Sequence, residues 1–285
     1  MNKHESKKAL PFAEGYWMEE GGEKWAEYID ATEASLLAFS KILLDGAGIR
    51  QGETILDIGC GGGANSIEAA LRTGAEGSVT GIDISPAILA VANERGADID
   101  NLGFVLGDAA STDLGEEVFD LIFSRFGVMF FSDPVAAFTN LGKSLKKDGK
   151  LVFMCWRSME ENPWMSVPAT AVFEVVPAKG PPPQPGQPGP FSMAMKDSVV
   201  SILGDAGMTD ISIETIDAGM ELGSMEDAVA YFMKMGPAAT TLVDATDEQK
   251  SRAAAAIREA LSQFETEQGI TAPAAIWLVK AFRRN

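Results

Sequence analysis

Histidine is almost missing from this 285-residue chain; its one copy, His4, lies in a polar leading stretch. That argues against a buried Ser-His-Asp triad, a histidine-rich metal site or a histidine general base in the core, and no metal is expected. Cysteine is nearly as scarce. Cys60 and Cys155 each sit at the end of an apolar run, so no disulfide framework is expected and a reducing compartment fits. The three tyrosines, Tyr16, Tyr28 and Tyr231, form no Tyr-x-x-x-Lys pattern. Basic residues are outnumbered, 23 against 41 acidic, for a formal net charge of −18. Without a basic cluster, nucleic acid, anionic membrane surfaces and polyanionic substrates are disfavoured as partners. No run is long and apolar enough to span a bilayer, so membrane insertion is not expected. No apolar run backs the stretch from Met1 to Lys8. The expectation is therefore a cytoplasmic protein without a signal peptide.

What is present suits a soluble globular protein: 46% hydrophobic and 22% charged residues, enough for one full core with a cap or for two small domains. The chain is organised around Thr54-Ile55-Leu56-Asp57-Ile58-Gly59-Cys60-Gly61-Gly62-Gly63-Ala64. An apolar run ends in an acid, a glycine cluster follows, and helical spacing resumes from Asn65. That is a buried strand, a tight turn and a helix start. Glycines let a ligand approach the backbone, and a helix N-terminus offers unpaired N–H groups to anionic ligand groups. Gly59-x-Gly61-x-x-Ala64 also fits the loose dinucleotide pattern.

The rest of the chain alternates. Residues 23–45 read as one helix with Trp25, Tyr28, Ile29, Leu36, Leu37, Ile42 and Leu43 on an apolar side, ended near Gly46–Gly48. Strands are expected at 78–84, 101–109, 119–126 and 150–156. Ser85-Pro86 and Asp133-Pro134 open helices between them. Alternation of this kind implies a doubly wound, mainly parallel α/β sheet. Residues 157–196 break the rhythm with a proline-rich run, Gly180 to Pro190. A helix at 197–207, a strand at 211–216, acidic helices over 225–265 broken at Gly236-Pro237, and a closing strand at 274–282 complete the reading. Four regions follow: a tail and helical cap (1–50), a ligand-binding core (51–156), a proline-rich lid (157–196) and the rest of the core with a helical insert (197–285).

Three acids end the first three strands: Asp57, Asp83 and Asp108. They recur at roughly 25-residue intervals, one strand–helix unit, so all three point to one carboxyl edge. Asp57 suits an ammonium group, in part through water. Asp83 can accept from both hydroxyls of a ribose. Asp108 can accept from an adenine amino group, with the Ala109 N–H beside it.

The runs Leu56 to Gly63, Gly81-Ile82-Asp83-Ile84-Ser85, Gly107-Asp108-Ala109, Phe119-Asp120-Leu121-Ile122 and Leu145 to Phe153 resemble, in order and spacing, the motifs of the class I S-adenosylmethionine-dependent methyltransferases. Within that class the chain looks most like the small-molecule type 11 subgroup, which includes ubiquinone and menaquinone biosynthesis methyltransferases. The resemblance implies a Rossmann-like seven-stranded sheet of order 3-2-1-4-5-7-6 with the last strand antiparallel, and S-adenosylmethionine as cofactor. It implies cofactor contacts at Asp57, Gly59, Cys60, Gly61, Asp83, Ile84, Asp108 and Ala109, with Arg125 and Phe126 near the methionine end or the substrate.

Methyl transfer from a sulfonium is an in-line displacement that needs alignment more than acid–base apparatus. No catalytic residue stands out; Asp133, Glu160, Glu161 and Tyr231 are the candidate bases. Tryptophans, methionines and phenylalanines at 17, 156, 164–165, 191–195 and 231–235 suit a small apolar or aromatic acceptor, at carbon or oxygen rather than nitrogen. A nicotinamide-dependent oxidoreductase, and a cofactor-binding protein that transfers no methyl group, are the alternatives. Self-association is left open.

Overall fold

The apolar runs that lead into acids all become parallel strands. The computed structural model describes residues 14–178 and 186–283. Four helices come first: α1 (Glu14–Met18), α2 (Glu20–Glu27), α3 (Ile29–Ser35) and α4 (Leu37–Ala47). Alternation then begins with β1 (Thr54–Ile58), α5 (Ala64–Thr73), β2 (Ser78–Asp83), α6 (Pro86–Gly96), β3 (Leu102–Leu106) and β4 (Phe119–Arg125). It continues through α7 (Pro134–Ser144), β5 (Leu145–Trp156), α8 (Pro163–Val175), α9 (Lys196–Asp205) and β6 (Met208–Glu221). The chain closes with α10 (Met225–Lys234), α11 (Ala239–Leu242), α12 (Asp247–Leu261), the two-residue β7 (Glu265–Thr266) and β8 (Gly269–Arg283). Among the described residues, no helix is long and apolar enough to cross a membrane.

The long strands lie in the order β3-β2-β1-β4-β5-β8-β6, and β7 pairs only with β8. Counting the long strands alone, this is the expected 3-2-1-4-5-7-6. Strands β1 to β5 pair in parallel, and β8 runs antiparallel to both β5 and β6. The order reverses between β1 and β4, which opens a crevice at their carboxyl ends. Helices cover both faces, so the central strands are apolar throughout: Leu121 to Ser124 and Val152 to Cys155 are fully buried. Phe39, Phe123, Phe138 and Phe153 are the largest side chains wholly inside.

Local chemistry sets the helix starts. Ser85 Oγ accepts from Ile88 N–H at 3.4 Å, ahead of Pro86. Asp133 caps α7, its Oδ1 accepting from Ala136 N–H at 3.0 Å. Capping boxes open α10 (Ser224 with Asp227) and α12 (Thr246 with Gln249).

The single helix expected over 23–45 is three short ones. Tyr28 (φ −105°, ψ 16°) and Leu36 (φ −96°, ψ 4°) interrupt it. A straight helix of that length would run about 35 Å; the breaks let α2 pack on α6 while α4 lies against β4 and β5. Leu37 consequently turns out to solvent, while Leu36 and Phe39 are buried. Residues 157–196 are also more ordered than a lid-like loop. Helix α8 buries Trp164, Met165 and Val172, and Gly189 N–H and Ser192 Oγ both donate to the Met129 carbonyl. Part of the proline-rich run, residues 179–185, lies outside the described residues. Strands β6 and β8 extend well past the expected spans, pairing from Met208↔Arg283 to Glu221↔Thr271.

One buried side chain ties α8 to the sheet. Asn162 is wholly buried; its Nδ2 donates to Ala275 O (3.0 Å), and its Oδ1 accepts from Ala275 N–H (2.9 Å) and Trp164 Nε1 (3.2 Å). Asn162→Ala strips partners from three buried polar groups. We expect a loss of about 3 kcal/mol, measured as a lower urea midpoint at unchanged slope.

Candidate active site

The glycine turn folds back over the end of β2. Gly59 and Cys60 N–H both donate to Ile82 O, at 2.9 and 3.1 Å. Gly59 takes φ +62° and Gly61 φ +58°, a region that penalises a Cβ. The two glycines differ in what surrounds them. A Cβ on Gly59 would stand 3.0 Å from Gly127 Cα, so that position serves backbone packing. A Cβ on Gly61 would meet nothing within 4 Å; the space there is open to a ligand.

Two acids flank this opening. Asp83, half-buried at the end of β2, accepts from Gly61 N–H (3.0 Å) and Ser85 N–H (2.9 Å), which fixes its carboxylate beside the turn. Burial pushes its pKa up, against the pull of those backbone N–H groups. Ile84 follows it, half-buried at the same edge. Asp57 lies beneath the turn, only 1% exposed, with Ser66 Oγ donating to it at 2.6 Å. Burial pushes its pKa up to about 7, offset by Ser66 and by the Arg125 guanidinium, while Asp83 adds to the rise.

The third acid is turned partly toward its own loop. Asp108 accepts from Ala110 N–H at 2.9 Å and Ser111 Oγ at 3.4 Å. Ala109 is buried, its carbonyl held by Asn140 Nδ2 at 3.2 Å. Arg125 ends β4 and donates to Ser40 Oγ at 2.5 Å. Burial lowers its pKa, while Glu33 and Asp57 counter the drop. Phe126 adopts φ +68° and stacks flat on Trp156, ring centroids 4.0 Å apart. That slab walls the carboxyl end of β4 and β5. Cys60 is buried and its thiol is pushed well above its ordinary range, first by burial, so it is not a nucleophile here. All ten sequence-derived positions therefore stand at or beneath one edge of the sheet.

Sequence reasoning named a helical cap over residues 1–50 but not the contacts by which it roofs the turn. Ile29 and Glu33 of α3 sit on Gly62, where a Cβ would meet Arg95, Glu33 and Ile29 at 2.6, 2.8 and 2.9 Å. Arg95 of α6 holds this roof down: it donates to Glu33 at 2.6 Å, to Asp30 at 2.5 Å and to Gly62 O at 3.1 Å. Gly22 of α2 presses on Ser85, and Trp17 packs edge-on against Phe130, centroids 5.0 Å apart. The signal available was the Gly21-Gly22 pair inside a helix, a place where close contact is the common reason. Trp17 lies on α1, which begins at Glu14; residues 1–13 lie outside the described residues.

Of the candidate bases, Asp133 is a helix cap, Glu161 is paired with Arg157 and Glu160 is exposed. Tyr231 of α10 alone reaches the roof, beside Thr32. Met165, Ala169, Phe232, Met235 and Ala238 pack into an apolar cluster between α8 and α10–α11, whereas Met195 points to solvent.

Asp57 carries a pH signature. Its carboxyl is raised from 3.8 to about 7, so over that window the folded chain keeps a proton that the unfolded chain has released. Stability from this group is full below pH 4 and falls as pH rises toward 7, by at most about 4 kcal/mol. Asp57→Asn should flatten the difference in urea stability between pH 5 and pH 8 relative to the unsubstituted chain.

Residues 49–179 match a methyltransferase-domain family. The chain is 34% identical over 104 residues to aklanonic acid methyltransferase DauC of Streptomyces sp. (strain C5), covering 36% of this chain and 47% of that one. It is 33% identical over 112 residues to demethylmenaquinone methyltransferase of Staphylococcus aureus, covering 39% and 46%. Each match thus spans about half the length of the curated relative. Phosphoethanolamine N-methyltransferase 2 of Haemonchus contortus shares the fold, with a TM-score of 0.60 at 17% identity over 98% of this chain and 61% of that one. The sheet order and the glycine turn between acids agree with that family match: residues 49–179 form a methyltransferase domain, and the chain is similar to S-adenosylmethionine-dependent methyltransferases.

Proposed function

We propose that this protein transfers a methyl group from S-adenosylmethionine to a small apolar or aromatic acceptor, at carbon or oxygen in preference to nitrogen. The observation that carries this is the open backbone at Gly61, held between Asp83 and the buried Asp57. A cationic amino acid moiety fits there. Burial raises Asp57 to about 7, and Arg125, the cation that counters the rise, is shared with Glu33. An ammonium group over the turn would supply the missing charge. A pyrophosphate would set more negative charge beside two carboxylates, which disfavours a nicotinamide dinucleotide.

Asp83 has lone pairs left for ribose hydroxyls after its two backbone bonds. Ile84, Asp108 and Ala109 would border the adenine, and Arg125 the carboxylate of the methionine part. The cofactor supplies an already activated methyl group when bound. The chain's own task is to align the nucleophile and exclude water. Phe126 and Trp156 form one wall, the roof of α1–α3 another, and the apolar cluster around Phe232 lies toward the helical insert. In this reading residues 14–47 are the roof, 51–156 the cofactor core, and 157–196 with 225–265 the acceptor side. The excess of acids, 41 against 23 basic residues, supports a small-molecule acceptor without nucleic acid, in the cytoplasm.

Calorimetric titration with S-adenosylmethionine, S-adenosylhomocysteine and NAD tests the reading. Micromolar binding of the first two, without NAD, is expected; NAD binding alone would overturn it. Asp83→Ala should weaken S-adenosylhomocysteine by about tenfold or more. Binding near pH 6.5 should release protons from Asp57, seen as a dependence of the heat on buffer ionisation that Asp57→Asn abolishes.

A further inference from the structure

Arg125 ends β4 as a cation without an ion pair. Its Nη1 donates to the Ser40 hydroxyl at 2.5 Å, and among the described residues no carboxylate stands within ion-pair distance of it. Two acids are nevertheless close enough for their charge to act on it, Glu33 and Asp57. Each is held by another partner: Glu33 accepts from Arg95 at 2.6 Å, and Asp57 accepts from Ser66 at 2.6 Å. The guanidinium therefore lies in the field of two carboxylates and bonds to neither. A partly buried arginine so placed would ordinarily close onto one of them.

Ser40 accounts for the gap. It is buried near the start of α4. Its hydroxyl donates to the Leu36 carbonyl at 3.3 Å, at the bend between α3 and α4. With the proton committed there, the oxygen lone pairs are left for Arg125. The hydroxyl is neutral, so it fixes the guanidinium without cancelling its charge; a carboxylate in the same place would do both. The remaining guanidinium N–H groups keep the planar fork that matches a carboxylate.

The place of β4 in the sheet says which part of a ligand they meet. The order is β3-β2-β1-β4, so Asp83 and Arg125 end strands on opposite sides of β1 and its glycine turn. With adenosine over β2 and β3, the amino acid part runs toward β4. We propose that Ser40 is a positioning residue of the cofactor site: it holds Arg125 off Glu33 and Asp57, so that the guanidinium stays free for the carboxylate of the methionine part. This deepens the methyl-transfer reading and rests on it. Without the Ser40 hydroxyl, Arg125 swings onto one of the two acids, and its charge is lost to the cofactor.

The test compares two ligands by calorimetry on the full chain: S-adenosylhomocysteine and its decarboxylated analogue, which keeps the ammonium group. Arg125→Met should weaken S-adenosylhomocysteine by about tenfold or more. Ser40→Ala should weaken it by about fivefold or more, and neither variant should weaken the analogue by more than about twofold. Ser40→Cys, close to serine in size but a poor acceptor, should repeat the Ser40→Ala result. In the Arg125→Met background, Ser40→Ala should change S-adenosylhomocysteine affinity by less than about twofold, because its effect runs through Arg125. Ser40 variants or an Arg125→Met chain that bind S-adenosylhomocysteine normally overturn the proposal. So does an equal loss for both ligands, the mark of a merely structural role, or an undiminished effect of Ser40→Ala in the Arg125→Met background. If the unsubstituted chain binds neither ligand, the methyl-transfer reading itself fails, and this proposal with it.

Discussion

The Ile82 carbonyl at the end of β2 receives two backbone N–H groups from the glycine turn after β1, and much of the molecule depends on that closure. It bends the chain sharply enough to bring Gly61 N–H onto Asp83. It leaves the backbone of Gly61 bare toward the crevice. It also requires left-handed conformations at alternate positions, which is why the run tolerates so few side chains there. Close approach of Gly59 to Gly127 then locks the β1 turn against the turn after β4, so the two strands flanking the switch in sheet order share one rigid rim.

Above that rim the electrostatics are acidic but not uniform. Asp30, Glu33, Asp57 and Asp83 crowd the turn, with Arg95 and Arg125 between them. Arg95 spends its charge on the roof, and Arg125 is shared between Glu33 and Asp57. Burying carboxylates with too few cations raises their pKa instead of leaving them fully charged, and Asp57 follows that rule. A cation arriving at the turn would gain from both effects at once: it pairs with the acids and restores their ionisation.

The roof is seated directly on the glycine turn, with Ile29 and Glu33 against Gly62. Three short helices replace one rod because Tyr28 and Leu36 leave helical geometry. The resulting curve brings Trp17, Thr32 and Glu33 over the same edge that carries the three acids. Helix α10 meets this roof at Tyr231. Segments some 200 residues apart in sequence thus meet above the sheet.

Strand runs ending in acids, the glycine cluster between two of them, and the serine and aspartate caps were legible in the sequence, because each is a local pattern written in neighbouring residues. They sufficed for the sheet, its order by resemblance, and the cofactor edge. Where the N-terminal helix would break was not legible: the apolar period runs on through Tyr28 and Leu36, and only packing against α6, β4 and β5 selects the bends. Nor was the grip of Arg95 on Asp30, Glu33 and Gly62, since its partners lie more than 30 residues away. The burial of Asp57 beneath the turn likewise belongs to tertiary structure alone. The sequence by itself determined which residues reach the carboxyl edge, through strand period and turn chemistry. The three-dimensional packing decided how deeply each is buried and what lies over it, because desolvation and long-range contact have no signature in local sequence.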